Sequence, residues 1–514
     1  MVNQAAKKRL QIFFTFIILF SCFTKTEVSS WNDASRMATV ESLVKFHTFI
    51  IDNSGFFATG DKYFYQNHFY SDKPPVLSLY TSVFYWCLNR LHISFDSHPA
   101  LSYYLLTVSV IGVISSLGLV CLYEILNTFK INRNWSNIIL LLAGTGTLIL
   151  PYSVVFNNHV VSGSLLLFSF YYLLPQSVIK RQYEGRQKKI SFNVRRLIRF
   201  SSDSTGRVKN SFTINKQRLD TQAFYIQLYA SEVKNAAISG FFITLAGSID
   251  ITMFLLIPLY FILLINKPLS AKIAFIVSCV PMTIIYILLN IYTSGSIIPA
   301  AMNASLWNYP GSHFGESNLS GLVQQDVGNL RVYAFNMLLG SRGLISYTPI
   351  ILFSIYGWIK MFFQTNFKYK KEYLFIAAVV IAFLLFYILR TNNYSGYSYG
   401  VRWFASIMLP ACIPIAHLAE EVKSKLLTVI FVAIAFVSIF ISFIGLIAPF
   451  GGVPEVDYSS LFLGLELFKQ QPLWVKAKLV LVLIVVYSVF YRLFEEFKKS
   501  QDRQSEKSAL QERV

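Results

Sequence analysis

Apolar residues in this chain gather into long runs separated by short polar or basic stretches. Runs near 100–124, 137–155, 160–175, 236–249, 251–266, 271–291, 345–363, 374–389, 403–419, 425–449 and 477–493 approach or reach the roughly 20 residues an α-helix needs to cross a hydrocarbon core. The stretch Leu10–Phe23, behind Lys7, Lys8 and Arg9, adds one more and brings the predicted spans to about twelve. No ten-residue polar/apolar alternation is present, and backbone polar groups cannot stay unpaired in lipid, so the pattern predicts helices and not a barrel. The expected fold is an all-α polytopic membrane bundle. The first stretch is short enough to read as a cleaved signal peptide, but the spans behind it favour an uncleaved anchor over residues 1–30.

Between Trp31 and Pro99 no convincing span appears, so 31–99 reads as a long first loop. Within it, Pro74-Pro75 leads into VLSLYTSVFYWCLNRL, a helical pattern whose Asn89, Arg90 and nearby histidines suit the membrane interface better than its centre. Placing the N-terminus in the cytoplasm puts every basic segment inside: Lys130 and Arg133, the stretch 176–235, Lys267 and Lys272, Lys368 to Lys371, Lys423 and Lys425, and the tail 494–514 with Arg492 before it. Outside lie 31–99, turns near His159 and Asp250, the loop 292–344, the turn 390–402 and the loop 450–476. The spans then fall in 100–175, 236–449 and 477–493.

Of 514 residues, 54% are hydrophobic and 14% charged, which excludes an ordinary soluble domain. The formal charge of +19 first points to nucleic acid, yet the basic residues sit in tails and loops with no nucleic-acid module, so topology accounts for them. The segment 176–235 is the most basic; it reads as a solvated cytoplasmic loop, with anionic lipid heads as the sharper alternative. The five cysteines have no paired spacing and read as packing residues.

Four places carry candidate chemistry. In W-N-D-A-S-R-M-A-T-V-E, Asp33 and Arg36 are three apart and share a helical face; Asp33 is either a proton acceptor or a helix cap with a local salt bridge. In H-F-Y-S-D-K-P-P, Pro74 and Pro75 fix the direction of Lys73, which holds a lipid phosphate or snorkels beside Asp72. In V-V-F-N-N-H-V, Asn157, Asn158 and His159 either form a plain turn or place an imidazole against an acceptor, and Asp250 in the next outside turn belongs to the same class. Arg342 in S-R-G-L-I-S-Y-T-P and Arg402 in Y-S-G-Y-S-Y-G-V-R-W run against the inside bias of basic residues; they bind an anion or anchor the interface with nearby aromatics.

In order and spacing, Asp33-Ala34-Ser35-Arg36-Met37-Ala38 and Tyr70-Ser71-Asp72-Lys73-Pro74-Pro75 resemble the first external loop of lipid-dependent glycosyltransferases of the GT-C fold, in the branch of protein O-mannosyltransferases and aminoarabinose transferases. The later N-N-H, S-R-G-L and S-Y-G-V-R segments are similar to those of bacterial members of that branch. The resemblance reaches to about residue 420. It implies a polyprenyl-phosphate sugar donor, an inverted product, Asp33 as general base, and Lys73, Arg36 and Arg402 on the donor phosphate, with Asp72, Asn158, Asp250 and Arg342 nearby and His159 as a second catalytic candidate. The chain departs from the family at Ala34, where relatives often carry a second acid, and in the turn 157–159, where some carry an acid whose part His159 would take over. The resemblance places the site outside a bacterial cytoplasmic membrane and leaves the sugar, the acceptor (protein, lipid or polysaccharide) and metal dependence open. A transporter or lipid flippase is the main competing class, and a polysaccharide polymerase or ligase is closer in chemistry. The enzyme reading requires Asp33, Arg36, Lys73, His159 and Arg402 to converge on one cavity at the outer face that also opens sideways to lipid.

Overall fold

The structure, a computed structural model, describes residues 2–174, 229–314, 329–365, 367–419, 424–451 and 459–512. After α1 (Val2–Phe23) the first loop folds into α2 (Trp31–Lys45), a hairpin of β1 (Lys62–Tyr65) and β2 (His68–Ser71), and α3 (Pro75–Arg90). Then come α4 (Pro99–Thr128), α5 (Arg133–Thr145), α6 (His159–Leu173), α7 (229–249), α8 (Ile251–Leu264) and α9 (Leu269–Ser294). The remainder comprises α10 (Leu330–Leu338), α11 (Ile351–Phe363), α12 (Lys370–Arg390), α13 (Arg402–Leu418), α14 (Lys425–Gly445), α15 (Ser460–Gln470) and α16 (Leu473–Glu512).

Among the described residues, α4, α9, α12, α14 and the Leu473–Arg503 part of α16 are long and apolar enough to cross a membrane. The chain is an integral membrane protein. Other apolar runs fold into shorter helices, for reasons visible in their residues. The run 137–155 is not one span: α5 closes at the Gly146 cap, and a separate turn of helix, Ile149–Tyr152, follows. The run 251–266 contains Pro258 and begins as 3₁₀ helix, and the run 403–419 carries Pro410 and Pro414. Two further expectations are corrected. The fold is not purely α, because alternating aromatics in K-Y-F-Y and H-F-Y-S pair antiparallel around Gln66 and Asn67, both at positive φ as a tight two-residue hairpin turn requires. The last helix does not stop with the predicted span at 493: α16 runs 40 residues, about 60 Å at 1.5 Å per residue, and continues helical through the tail to Glu512. The loop 450–476 holds α15. Most of the basic segment 176–235 lies outside the described residues; its end is helical and pairs Glu232 with Lys267 at 2.8 Å.

The first loop is packed on one side and apolar on the other. Residues Asn32 to Ser42 of α2 are buried, whereas α3 turns Leu79, Val83 and Trp86 outward at 40%, 61% and 51% exposure. That spacing is one helical face, suited to lipid. Beneath, α6 is wedged between α4 and α13. A Cβ on Gly163 of α6 would lie 2.4 Å from the Ser406 carbonyl oxygen, so glycine lets α13 approach closely. This approach brings the starts of α6 and α13 together.

Candidate active site

Asp33 closes a capping box at the start of α2. Its Oδ1 accepts from the Ser30 amide and hydroxyl, both at 2.7 Å, and its Oδ2 from the Ser29 amide at 2.9 Å and the Tyr103 hydroxyl at 2.8 Å. A carboxylate has about four acceptor sites, and all four are taken. Burial pushes the Asp33 carboxyl above its ordinary value, against these hydrogen bonds. The Tyr103 hydroxyl also accepts from the Phe156 amide at 3.2 Å, which ties the cap to the turn before α6.

The hairpin builds a second cluster. With Lys62 paired to Ser71, the next residues outward, Asp61 and Asp72, stand opposite each other, and Lys73 Nζ bridges them at 2.7 and 2.8 Å. Lys73 is therefore not an isolated cation, since its charge is taken up by two carboxylates. Burial raises the Asp72 carboxyl, with Lys73 opposing and Asp61 reinforcing the shift. Ser35 of α2 donates to the Asp61 carbonyl at 2.6 Å and meets the Ser71 hydroxyl at 2.6 Å, so the two first-loop motifs are stitched together.

From the next position on α2, Arg36 reaches the bundle. Its Nη2 donates to Asn158 Oδ1 at 3.0 Å, while Nε and Nη1 have no partner although the residue is 1% exposed. Burial pushes Arg36 down to about 10; Asp72, Asp250 and Asp61 oppose this, and Arg402 adds to it. Asn158 also donates to the Ile249 carbonyl at 3.3 Å. Beside it, His159 Nδ1 lies 3.0 Å from Asp250 Oδ2, which also accepts from Ser162 and Ser406 hydroxyls, each at 3.3 Å. Asp250 Oδ1 accepts from the Thr252 hydroxyl at 2.7 Å, the cap of α8. Among the described residues, His159 Nε2 has no hydrogen-bond partner.

Arg402 opens α13 and lies within electrostatic range of Arg36 and His159; its buried Nε is unpartnered, and its guanidinium sits 5.7 Å from the Phe450 ring. Arg342 stands one step behind. It donates to the Ser398 carbonyl at 2.8 Å, the Ser398 hydroxyl meets that of Ser395 at 2.6 Å, and Ser395 accepts the Arg402 amide at 3.0 Å. Arg342 thus braces the loop that presents Arg402. Gly400 in that loop has φ of 62°, and a Cβ there would lie 2.9 Å from the Tyr347 ring.

A cavity of about 90 Å³ opens beside Asp72. It is lined by Thr39, Phe49, Tyr63 and Tyr70 of the first loop, Ile251 next to Asp250, and Tyr286, Asn290 and Thr293 at the end of α9. Asn290 Nδ2 is buried without a partner. Aromatic walls with a few polar groups are the usual make-up of a small-molecule site. Among the described residues, no group of three or more His, Cys, Asp or Glu side chains is placed to hold a metal ion.

The structure brings Arg36, Asn158, His159, Asp250 and Arg402 into one neighbourhood on which Asp72 and Asp61 also act, while of the five residues expected to share one cavity, Lys73 alone lines the cavity beside Asp72. It ties Asp33 to that neighbourhood through Tyr103 and keeps Arg342 behind the loop. Asp61, Tyr103 and Ser406 carry no motif of their own and emerge only from the fold. No protein-family model matches the chain, and no curated protein sequence matches it. Among solved structures, the crystal structure of ArnT from Cupriavidus metallidurans bound to undecaprenyl phosphate is similar at a TM-score of 0.47 and 10% identity, over 95% of this chain and 75% of that one.

Proposed function

We propose that this chain is a GT-C-type glycosyltransferase that moves a sugar from a polyprenyl-phosphate carrier to an acceptor at the outer face of a bacterial cytoplasmic membrane, with inversion at the anomeric carbon. The observation that carries the reading is the buried Arg36 guanidinium with two open nitrogens near Arg402, which has one. Burying a cation without a full set of partners costs several kcal/mol, and an anion offsets that cost. A phosphodiester at headgroup depth supplies one, with oxygens that match a guanidinium. As the sugar leaves, charge grows on those oxygens, and fixed cations stabilise it more than they stabilise the bound donor. In this reading the cavity beside Asp72 takes the sugar, and the exposed face of α3 rests in lipid where the carrier's tail lies.

In this reading Asp33 organises the start of α2 and so aims Arg36, and Lys73 holds Asp61 and Asp72 in place. With the N-terminus inside, the basic loops face the cytoplasm and the site belongs to the extracytoplasmic side. The acceptor is a protein, lipid or polysaccharide, and no nucleic acid takes part. A flippase would need its polar groups near mid-membrane on broken half-helices, whereas here they gather at helix starts. The test is purified protein in liposomes supplied separately with polyprenyl-phosphate mannose, glucose and aminoarabinose, read by mass spectrometry. Release of polyprenyl phosphate with transfer or hydrolysis of one sugar is expected; inertness towards all three while the lipid is moved across the bilayer overturns the reading.

A further inference from the structure

We propose that His159 is the base that takes the acceptor's proton, with Asp250 as its positioning residue. The inference rests on the glycosyl-transfer reading and assigns the proton acceptor within that same site.

Three carboxylates near the site are already committed. Asp33 accepts four hydrogen bonds, and Asp61 and Asp72 share the Lys73 ammonium. His159 differs: an ionised Asp250 can only accept, so the 3.0 Å contact places the imidazole proton on Nδ1 and leaves the lone pair on Nε2, which has no hydrogen-bond partner among the described residues. The residue is held at its backbone as well as at its ring. Asn157 Oδ1 accepts the His159 amide at 3.0 Å, and Asp250 is itself fixed by Thr252, Ser162 and Ser406 from three different elements. The charged groups facing the ring are Asp250 at the start of α8, Arg402 at the start of α13 and Arg36 on α2; Glu124 on α4 lies towards Tyr171, at the other end of α6. Arg36 and Arg402, the groups proposed to hold the phosphate, both act on this imidazole, which sets it on the phosphate side of the proposed site.

The step balances without a further reactant. The acceptor's oxygen or nitrogen forms a bond to the anomeric carbon, and the bond from that carbon to the phosphate oxygen breaks with its electron pair going to the phosphate. The acceptor's proton passes to His159 Nε2. The imidazolium, paired with Asp250, later returns that proton to water.

The experiment compares the wild type with His159→Gln and Asp250→Asn in the liposome assay across pH, alongside polyprenyl phosphate binding followed as a thermal shift. Wild-type kcat is expected to rise with pH to a plateau. His159→Gln is expected to lose about 100-fold or more in kcat, the usual contribution of a positioned base, while still binding polyprenyl phosphate. Asp250→Asn is expected to lower kcat and move the rising limb to lower pH, because the imidazolium loses its partner. A purely structural role for Asp250 leaves the limb where it is. Turnover retained in His159→Gln, or an unmoved limb in Asp250→Asn, overturns the dyad while leaving glycosyl transfer intact. A wild type that transfers nothing overturns the functional reading itself.

Discussion

Replacing Arg36 with methionine separates anion binding from folding. The guanidinium has two open nitrogens, and each charge-assisted hydrogen bond to a phosphate contributes about 1.5–3 kcal/mol. Losing both removes about 3–6 kcal/mol, or roughly 10²- to 10⁴-fold in donor affinity at 1.4 kcal/mol per tenfold. The fold is affected far less. Methionine keeps most of the volume and removes an incompletely paired buried charge, a gain of about 1–4 kcal/mol in comparable swaps. Against this, Asn158 Oδ1 loses its 3.0 Å donor, at a cost of about 1–3 kcal/mol. The two nearly cancel. The assay is the thermal midpoint by tryptophan fluorescence, with and without polyprenyl phosphate. At a ligand concentration of 100 Kd the wild type gains about 2.7 kcal/mol, whereas a variant weakened 100-fold gains about 0.4 kcal/mol at the same concentration. Arg36→Met is therefore expected to unfold near the wild-type temperature when free and to lose the shift. A variant that keeps the full shift refutes the anion site. One that unfolds many degrees lower without ligand shows Arg36 to be a structural cation.

Two further outcomes follow from the same geometry. Burial raises Asp72 above the ordinary carboxyl value of 3.8, so the folded state holds this proton more tightly than the unfolded one. Its contribution to stability is full below 3.8 and is lost as pH rises through the raised value, so the wild-type midpoint should fall more steeply over that window than that of Asp72→Asn; parallel curves exclude it. Gly163→Val places a side chain where even Cβ would lie 2.4 Å from the Ser406 oxygen, which should lower stability by about 1–3 kcal/mol and part α13 from α6. Turnover, measured in liposomes, should fall with it; an unchanged rate would mean that this approach does not position Arg402 and Ser406.

What could be read from the sequence depended on how local its cause was. The two first-loop motifs were legible because each is a short string, and their joint meaning appears where Ser35 meets Ser71. Ser30, three residues before Asp33, already spelled a capping box, so the cap and the base were both readable and only the surrounding donors distinguish them. His159 and Asp250 were visible as polar residues in separate turns, but their partnership joins positions 91 apart. Asp61 had no signal at all: its closeness to Asp72 is a consequence of hairpin register. Hydropathy located the apolar runs yet is insensitive to the backbone, so it passed over Gly146 and Pro258, where a cap and a missing amide break the run. It also ended the last helix too early, because Glu495 and Lys499, four residues apart, support a helix as well as a tail.

The site's position has a further cause that no single motif carries. Asp33 sits in the first turn of α2, His159 begins α6, Asp250 caps α8 and Arg402 opens α13, so four helices present their N-terminal ends to one region. Each such end carries roughly half a positive charge from aligned peptide dipoles. Two of them, at α2 and α8, are closed by their own carboxylates, Asp33 and Asp250. Those carboxylates therefore stabilise the helices on which they sit, and Asp250 also acts on Arg36. Water screens charge poorly in such an interior, and a leaving phosphate at these helix starts would meet backbone N–H groups and guanidinium together. Removing either carboxylate should then disturb helix starts as well as chemistry, which is why the pH limb, and not loss of rate alone, identifies the dyad.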